Sequence, residues 1–442
     1  MRIPLAEVAG VLSAAVVGNM ESGLVAHGVS YDSRQVTPGN LFIAIIAQRD
    51  GHDFVLDAVQ AGAAAVLVSR EVLGCSVPQI VVADTAIALT ALGKWARQHA
   101  QSNVEKRVVG ITGSVGKTST KDFIAAVLAT QFVVGASEKS LNNDQGVPVT
   151  LLNAPEPTQA LVVEMGMRGF GEIARLAALV QPYIGVITAV GESHGERVGG
   201  VEGVAQAKAE LVESLPADGF AVLNADDARV AAMRNKTSAT VVTYGTTAHA
   251  DMRISDLTIN GDGCASFHLA SQWGSGSCTL SVPGRHMASN AAAAVLVGAL
   301  CGVPVSDAVL AVERTAISPM RMQVHSLVNG VLLDDSYNAS PTSMSAALLT
   351  LSSMTADHRI AVLGVMAEIS DAEVQHKNIA QLAQDLGIEV IAFRTDLYGL
   401  SSCATYAEVH ELLQKRSANT AILLKGSRVA GLEAVTQLLL GN

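Results

Sequence analysis

Eight consecutive residues, Thr112-Gly113-Ser114-Val115-Gly116-Lys117-Thr118-Ser119, have the types and order that phosphate chemistry requires. The glycines let backbone amides turn inward, and a helix starting after them adds positive potential at its N-terminus. Lys117 can reach the outer phosphates of a nucleotide, and the Thr118 hydroxyl can ligate magnesium. The apolar run 108–112 predicts a strand before this loop, and residues 118–129 predict an amphipathic helix after it. The match to the general P-loop pattern is incomplete, because Ile111 stands where that pattern has its first glycine.

Other polar residues fall where predicted strands end. The run 160–165 closes on Glu164-Met165-Gly166, which puts a carboxylate at the carboxyl edge of a parallel sheet, where a metal beside phosphates would sit. The run 184–190 leads to Gly191-Glu192-Ser193-His194 and brings an imidazole to the same edge. A helix over 204–215 aligns Val204, Lys208, Leu211 and Leu215, so a lysine interrupts an apolar stripe unless it snorkels to solvent. Asn142 and Asn143 lie in a turn that contains glycine and proline, and Gly284-Arg285-His286 opens a helix carrying Asn290. Asp334-Asp335-Ser336-Tyr337-Asn338 follows one strand, Met366-Ala367-Glu368 another, and Lys425-Gly426-Ser427-Arg428 the last. Taken singly, each has an ordinary reading as a turn, a cap or a surface residue.

The elements that must hold these residues alternate between strand and helix periodicity. Residues 41–46, 65–69 and 80–83 predict strands of a small α/β unit, closed by a helix with Ala88, Leu92, Trp95 and His99 at helical spacing. A polar stretch at 101–106 ends it. The phosphate loop then opens a second unit whose β–α alternation implies a parallel sheet covered on both faces. Period-two alternation over 251–282, broken at Asn260-Gly261-Asp262-Gly263, adds a short antiparallel extension. After helices near 286 and 307–314, an unpatterned segment at 317–322 leads to a third α/β unit with strands at 331–335, 360–365, 390–393 and 421–424. The expected division is α/β throughout, in three domains at 1–104, 105–316 and 317–442.

Bulk properties exclude several classes. Hydrophobic residues make up 49% of the chain, but their runs are interrupted well short of the ~18 residues that span a bilayer. Pro4 and Glu7 break up the start, so no secretory signal is read and a cytoplasmic location is expected. The five cysteines stand singly without a CxxC pair, which disfavours both a disulfide framework and a zinc site. A formal charge of −11 and few aromatics give no basis for nucleic-acid binding.

The shorter TGxxGKT form of the phosphate loop resembles that of the Mur ligase family, and the other motifs follow in that family's order from about Ser30 to the final helix. The resemblance implies a small N-terminal UDP-binding domain, a central P-loop ATPase domain and a C-terminal Rossmann-like domain. It implies ATP and Mg2+, with Lys117, Glu164, His194 and Lys208 as catalytic residues. Thr118, Glu164 and His194 would be metal ligands, joined by Lys208 if that lysine is carbamylated. Gly113, Ser114, Val115, Gly116, Lys117, Thr118 and Ser119 would cradle the phosphates. Asn290 of the GxHxxxNxxAA segment would meet the adenine, Asp335 the ribose, and the hinge residue Arg321 the phosphates.

Ser30-Tyr31-Asp32-Ser33-Arg34 is similar to the UDP-sugar-binding start of the members that extend the peptide. This assigns Asp32, Ser33 and Arg34 to that substrate, together with Asn142 and Asn143. The DDSYNxxP wording, carried here by Tyr337 and Asn338, is that of the members adding D-alanyl-D-alanine, as is the wording around Lys425 and Ser427. The implied enzyme is an ATP-dependent acid–amino-acid ligase of peptidoglycan precursor synthesis. It would join D-alanyl-D-alanine to UDP-N-acetylmuramoyl-tripeptide through an acyl phosphate, as a monomer. Ile46 and Ala47 depart from the usual lysine and glycine before Asp50-Gly51-His52-Asp53-Phe54, and Ala189 from the usual asparagine.

Two relatives compete. The ligase adding the third amino acid carries DNPR-type and DYAH-type signatures that are missing here, and folylpolyglutamate synthase lacks the leading UDP-binding domain. A P-loop nucleotide switch would keep Gly116 and Lys117 without the third unit's motifs, and an inactive family member would serve only as a binding module.

Overall fold

Short runs of Val, Ile, Leu and Ala bounded by turn residues form the strands, and nearly every strand that carries a site residue is buried along its length. A run such as Val108–Thr112, buried at all five positions, has no alternating polar face, the pattern of a parallel strand covered on both sides. Each such Val or Leu contributes roughly 1.5–3 kcal/mol relative to an exposed position. These details come from a computed structural model that describes residues 1–138, 141–191, 195–416 and 419–441, with Gly195 and Glu196 as backbone only. The chain packs as two compact units, one of Met1–Ile111, Gln131–Gly166 and Glu172–Ile184, the other of Thr112–Thr130, Met167–Gly171 and Gly185–Asn442.

In the first unit, a five-stranded sheet runs in the order Ala15–Val17, Gln79–Val81, Ala65–Val68, Leu41–Ile43, Val29–Ser30, antiparallel only at its first pair. The helix Thr85–His99 starts where Asp84 accepts the amides of Ala86 and Ile87, and it buries Ala88, Leu89, Leu92 and Ala96. The strands Val108–Thr112, Ala160–Glu164 and Val134–Ala136 lie parallel, with Glu164 in register beside Ile111. Asn153, at the end of the helix Gly146–Leu152, ties that helix to the first sheet's edge strand: its side chain accepts the Val29 amide at 2.7 Å and donates to the Val29 carbonyl at 3.0 Å.

In the second unit, the strands Phe220–Asn224, Thr240–Gly245 and Met252–Ile259 pair in parallel, and Cys264–Ser271 and Gly274–Pro283 extend the sheet antiparallel. The expected Asn260 turn is present, with the Asn260 side-chain oxygen accepting the amides of Asp262 and Cys264. A six-stranded sheet follows in the order Gln323–Leu327, Gly330–Asp334, Thr420–Lys425, His358–Leu363, Glu389–Phe393, Ser402–Cys403. It is parallel except for its first strand.

Mixed α/β architecture is therefore as the sequence leads one to expect. The differences are local. The strand expected over 41–46 stops at Ile43, and Ile46 makes only an isolated bridge to Asp50. The polar stretch 101–106 includes a helical turn, Gln101–Val104. The strands Phe220–Asn224 and Thr240–Gly245, unmarked in the sequence, form because each covers the other's backbone groups. Gln323–Leu327 pairs antiparallel at the edge of the third sheet, a place that tolerates its alternation of half-buried and exposed residues.

Candidate active site

The phosphate loop is held from below by the strand that ends at Ile187. Thr188 donates its hydroxyl to the Val115 carbonyl at 2.6 Å and its amide to the Thr112 carbonyl at 3.0 Å. The Ser114 amide donates to the Ala189 carbonyl at 2.7 Å, and the Ser114 hydroxyl and Gly191 exchange hydrogen bonds of 2.9 Å in both directions. Ala189 acts here through its backbone carbonyl, so this tie does not depend on its side chain. Asn224 donates to the Thr188 carbonyl, and Asp227 accepts the Val190 amide, both at 2.8 Å.

Gly113 and Gly116 have φ of 155° and 84°, and Gly116 is the residue from which the helix Lys117–Ala129 starts. A Cβ at Gly113 would collide with the Thr188 hydroxyl, and one at Gly116 would come within 2.8 Å of Asn290 Oδ1. Both positions therefore need glycine. Lys117 folds back and donates to the Gly113 carbonyl at 2.7 Å. The Thr112 hydroxyl is buried and makes no hydrogen bond among the described residues, a polar atom left for a phosphate oxygen or an ordered water. Thr118 and Ser119 are buried in the helix's first turn.

Glu164 is 1% exposed at the end of its strand. Its Oε1 accepts from Asn142 at 2.7 Å, and its amide donates to Ser137 at 3.1 Å. Asn143 uses its side-chain oxygen on the amides of Gln145 and Gly146 and so starts the helix Gly146–Leu152. Lys208 is 2% exposed among Val204 and Leu211 on the helix Val201–Glu213, so it does not snorkel. Two residues on, Glu210 accepts the Gly171 amide at 2.6 Å. His194 lies outside the described residues. Within its own unit, each of Thr118 and Glu164 offers a hard oxygen donor, a hydroxyl and a carboxylate, of the kind magnesium takes.

At the carboxyl edge of the third sheet, Lys425 is 2% exposed and donates to an Asp335 carboxylate oxygen at 2.5 Å and to the Asn338 carbonyl at 3.0 Å. Ser427 accepts the Ala367 amide at 2.8 Å and donates to the Ala339 carbonyl at 3.4 Å. The Arg321 guanidinium lies 4.2 Å from the centre of the Tyr337 ring. Its neighbours Met320 and Met322 both have positive φ, 59° and 53°, and are tied to Tyr337 and Asp335 respectively. Burial lowers the pKa of His286, with Asp335 opposing that shift and Lys425 adding to it. Asn290, His286 and the Asp335 loop thus belong to one unit with the phosphate loop.

At the other end of the chain, Asp32 caps a short 3-10 turn and binds Arg34 through its backbone and guanidinium. That pairing holds the Asp32 carboxyl below its ordinary pKa. Ser33 starts the turn. Ile46 is 57% exposed in a tight turn where Arg49 stacks over Phe54.

Sequence reasoning missed Thr188, Asp227, Ser137 and also Asp122, whose carboxylate accepts the Ser318 amide. The only signal for Thr188 was a hydroxyl at a strand end, and the others act on backbone groups brought near by folding.

Three family profiles cover most of the chain: "Mur ligase family, catalytic domain" at residues 25–97, "Mur ligase middle domain" at 111–298 and "Mur ligase, glutamate ligase domain" at 320–428. The UDP-N-acetylmuramoyl-tripeptide–D-alanyl-D-alanine ligase of Bacillus subtilis is 36% identical over 93% of this chain and 93% of its own. Among solved structures, MurF from Acinetobacter baumannii superposes with a TM-score of 0.86 at 27% identity, covering 100% of this chain and 99% of that one. The MurF ligase of Thermotoga maritima in complex with ADP shares the fold, with a TM-score of 0.79 at 24% identity over 94% and 97%. The chain belongs to the Mur ligase family.

Proposed function

We propose that the chain is an ATP-dependent ligase that joins D-alanyl-D-alanine to UDP-N-acetylmuramoyl-tripeptide in peptidoglycan synthesis. The observation that carries this reading is a single chain that pairs the glycine cradle at Gly113–Gly116 with an Asp335-Ser336-Tyr337-Asn338 loop locked by Lys425, in a sequence 36% identical to a relative of that name. In the reaction, the terminal carboxylate of the tripeptide takes the γ-phosphoryl group of ATP, and the amine of the dipeptide displaces phosphate from the acyl phosphate. Lys117 holds the outer phosphates, and the amides of the glycine loop offset charge as it moves to the leaving oxygens.

Glu164, kept in place by Asn142 and Ser137, is assigned to magnesium with Thr118 and His194; the bound ion would neutralise phosphate charge. Lys208, buried two residues from Glu210, is assigned as a carbamate supporting a second ion. Asn290, Asp335 and Arg321 are assigned to the nucleotide. Asp32, Ser33 and Arg34 are assigned to the UDP-sugar, Asn142 and Asn143 to the same substrate, and Tyr337, Asn338, Lys425 and Ser427 to the reacting ends. The domains are taken as 1–104, 105–316 and 317–442, in a cytoplasmic monomer. No helix among the described residues is long and apolar enough to cross a membrane.

The test is phosphate release measured with UDP-muramoyl dipeptide or tripeptide against D-alanyl-D-alanine, single amino acids or no acceptor, with product masses read in parallel. Release that requires both the tripeptide and D-alanyl-D-alanine is expected. Release with the dipeptide and a diamino acid would assign the chain to the sibling ligase, and acceptor-independent turnover would assign it to a nucleotide switch.

A further inference from the structure

The segment Lys425-Gly426-Ser427-Arg428 ends on a guanidinium that takes no part in the side-chain contacts of Lys425 and Ser427. The Arg428 side chain is 55% exposed. Both of its contacts run through one nitrogen, with Nη1 at 3.2 Å from Met320 Sδ and 3.1 Å from Glu433 Oε1. Nε and Nη2 meet no acceptor among the described residues. Those two N–H groups form the planar edge that takes a carboxylate or phosphate in two parallel hydrogen bonds. The Nη1 contacts therefore orient the group and leave its pairing edge open.

Its position suits a substrate. Ser427 bridges the Ala367 amide and the Ala339 carbonyl, so Arg428 follows the point where the exits of the strands Gly330–Asp334, His358–Leu363 and Thr420–Lys425 are joined. Ligands of open α/β sheets lie beyond such carboxyl ends. Lys425, the other cation of the segment, is buried against Asp335 and the Asn338 carbonyl. The nucleotide phosphates already have the glycine cradle and Lys117.

We propose that Arg428 is a specificity residue for the acceptor, its Nε–Nη2 edge receiving the terminal carboxylate of the dipeptide. The inference rests on the ligase reading given above. The test is steady-state kinetics of the full chain with D-alanyl-D-alanine and with its C-terminal amide, in wild type, Arg428→Ala and Arg428→Lys. Wild type should show a KM for the amide about tenfold above that for the acid. Arg428→Ala should raise the KM for the acid by about tenfold and bring the acid-to-amide ratio near one, with the KM for ATP unmoved. Arg428→Lys, which keeps charge but loses the fork, should fall between them. A thermal melt of each variant separates misfolding from lost recognition, since misfolding cannot erase the discrimination selectively. An unchanged ratio in folded Arg428→Ala overturns the proposal, and so does a rise confined to the KM for ATP, which would give the edge to a phosphate. If wild type does not depend on the dipeptide at all, the ligase reading itself fails, an outcome distinct from either.

Discussion

The carboxylate of Asp122, on the helix that begins with Lys117, accepts the backbone amide of Ser318 at 2.8 Å. Lys121 pairs with its other oxygen at 2.6 Å. The segment carrying Arg321 is thus fastened at one end to the phosphate-loop helix and at the other to Asp335 through the Met322 amide. Removing the first tie in Asp122→Ala should cost about 1 kcal/mol, roughly a fivefold shift in any hinge equilibrium the bond biases. Because hinge changes move kcat and KM together, both should change in steady-state assays; a change in KM for ATP alone would mean that Asp122 acts on nucleotide binding instead.

Gly113→Ala places a methyl group against the Thr188 hydroxyl, which holds the Val115 carbonyl. The loop must shift, and nucleotide affinity should fall at least about tenfold while the melting temperature moves little. Titration with a fluorescent ADP analogue reads this directly.

Asn142→Ala removes the hydrogen bond that orients Glu164 without touching the carboxylate. Partners of a metal ligand typically contribute 10–100-fold to affinity or activity, so the magnesium concentration for half-maximal rate should rise about tenfold. No shift in that midpoint would remove Glu164 from the metal assignment.

Lys425→Met leaves the Asp335 carboxylate, whose side chain is 16% exposed, without its buried cation. Stripping one partner from such a pair costs about 3 kcal/mol, which chemical denaturation should detect as a lower midpoint with an unchanged slope. The double change Lys425→Met with Asp335→Leu should recover much of that loss of stability without recovering activity.

His376 is fully buried, with Nδ1 on the Ala372 carbonyl at 2.6 Å and Nε2 accepting the Met366 amide at 2.9 Å. Only the neutral ring can serve both partners, and burial pulls its pKa below the ordinary value. The unfolded chain, with a histidine pKa of about 6.5, then binds the proton first, so this contribution to stability is complete above that pH and is lost as pH falls below it toward the folded value. Denaturation midpoints measured from pH 8 to 5 should decline, and the decline should be shallower in His376→Gln.

The phosphate loop and the strand-end places of Glu164, Asp335 and Lys425 were legible in the sequence because each rests on local order, a glycine spacing or an apolar run that ends, and the helical period put Lys208 in an apolar stripe. That the lysine of the stripe is buried was not legible, since periodicity gives a face and not what covers it. The ties of Thr188 to Val115, Asp122 to Ser318 and His376 to Met366 were out of reach, because each joins a side chain to a backbone group whose position only the folded chain defines. The open edge of Arg428 depends likewise on Met320 and Glu433 meeting one nitrogen from opposite sides along the chain. The sequence by itself determined the chemistry these residues can perform and the α/β elements that carry them. Tertiary structure alone decided which polar atoms are already paired and which remain for a ligand, since hydrogen bonding depends on ångström-scale approach between distant segments.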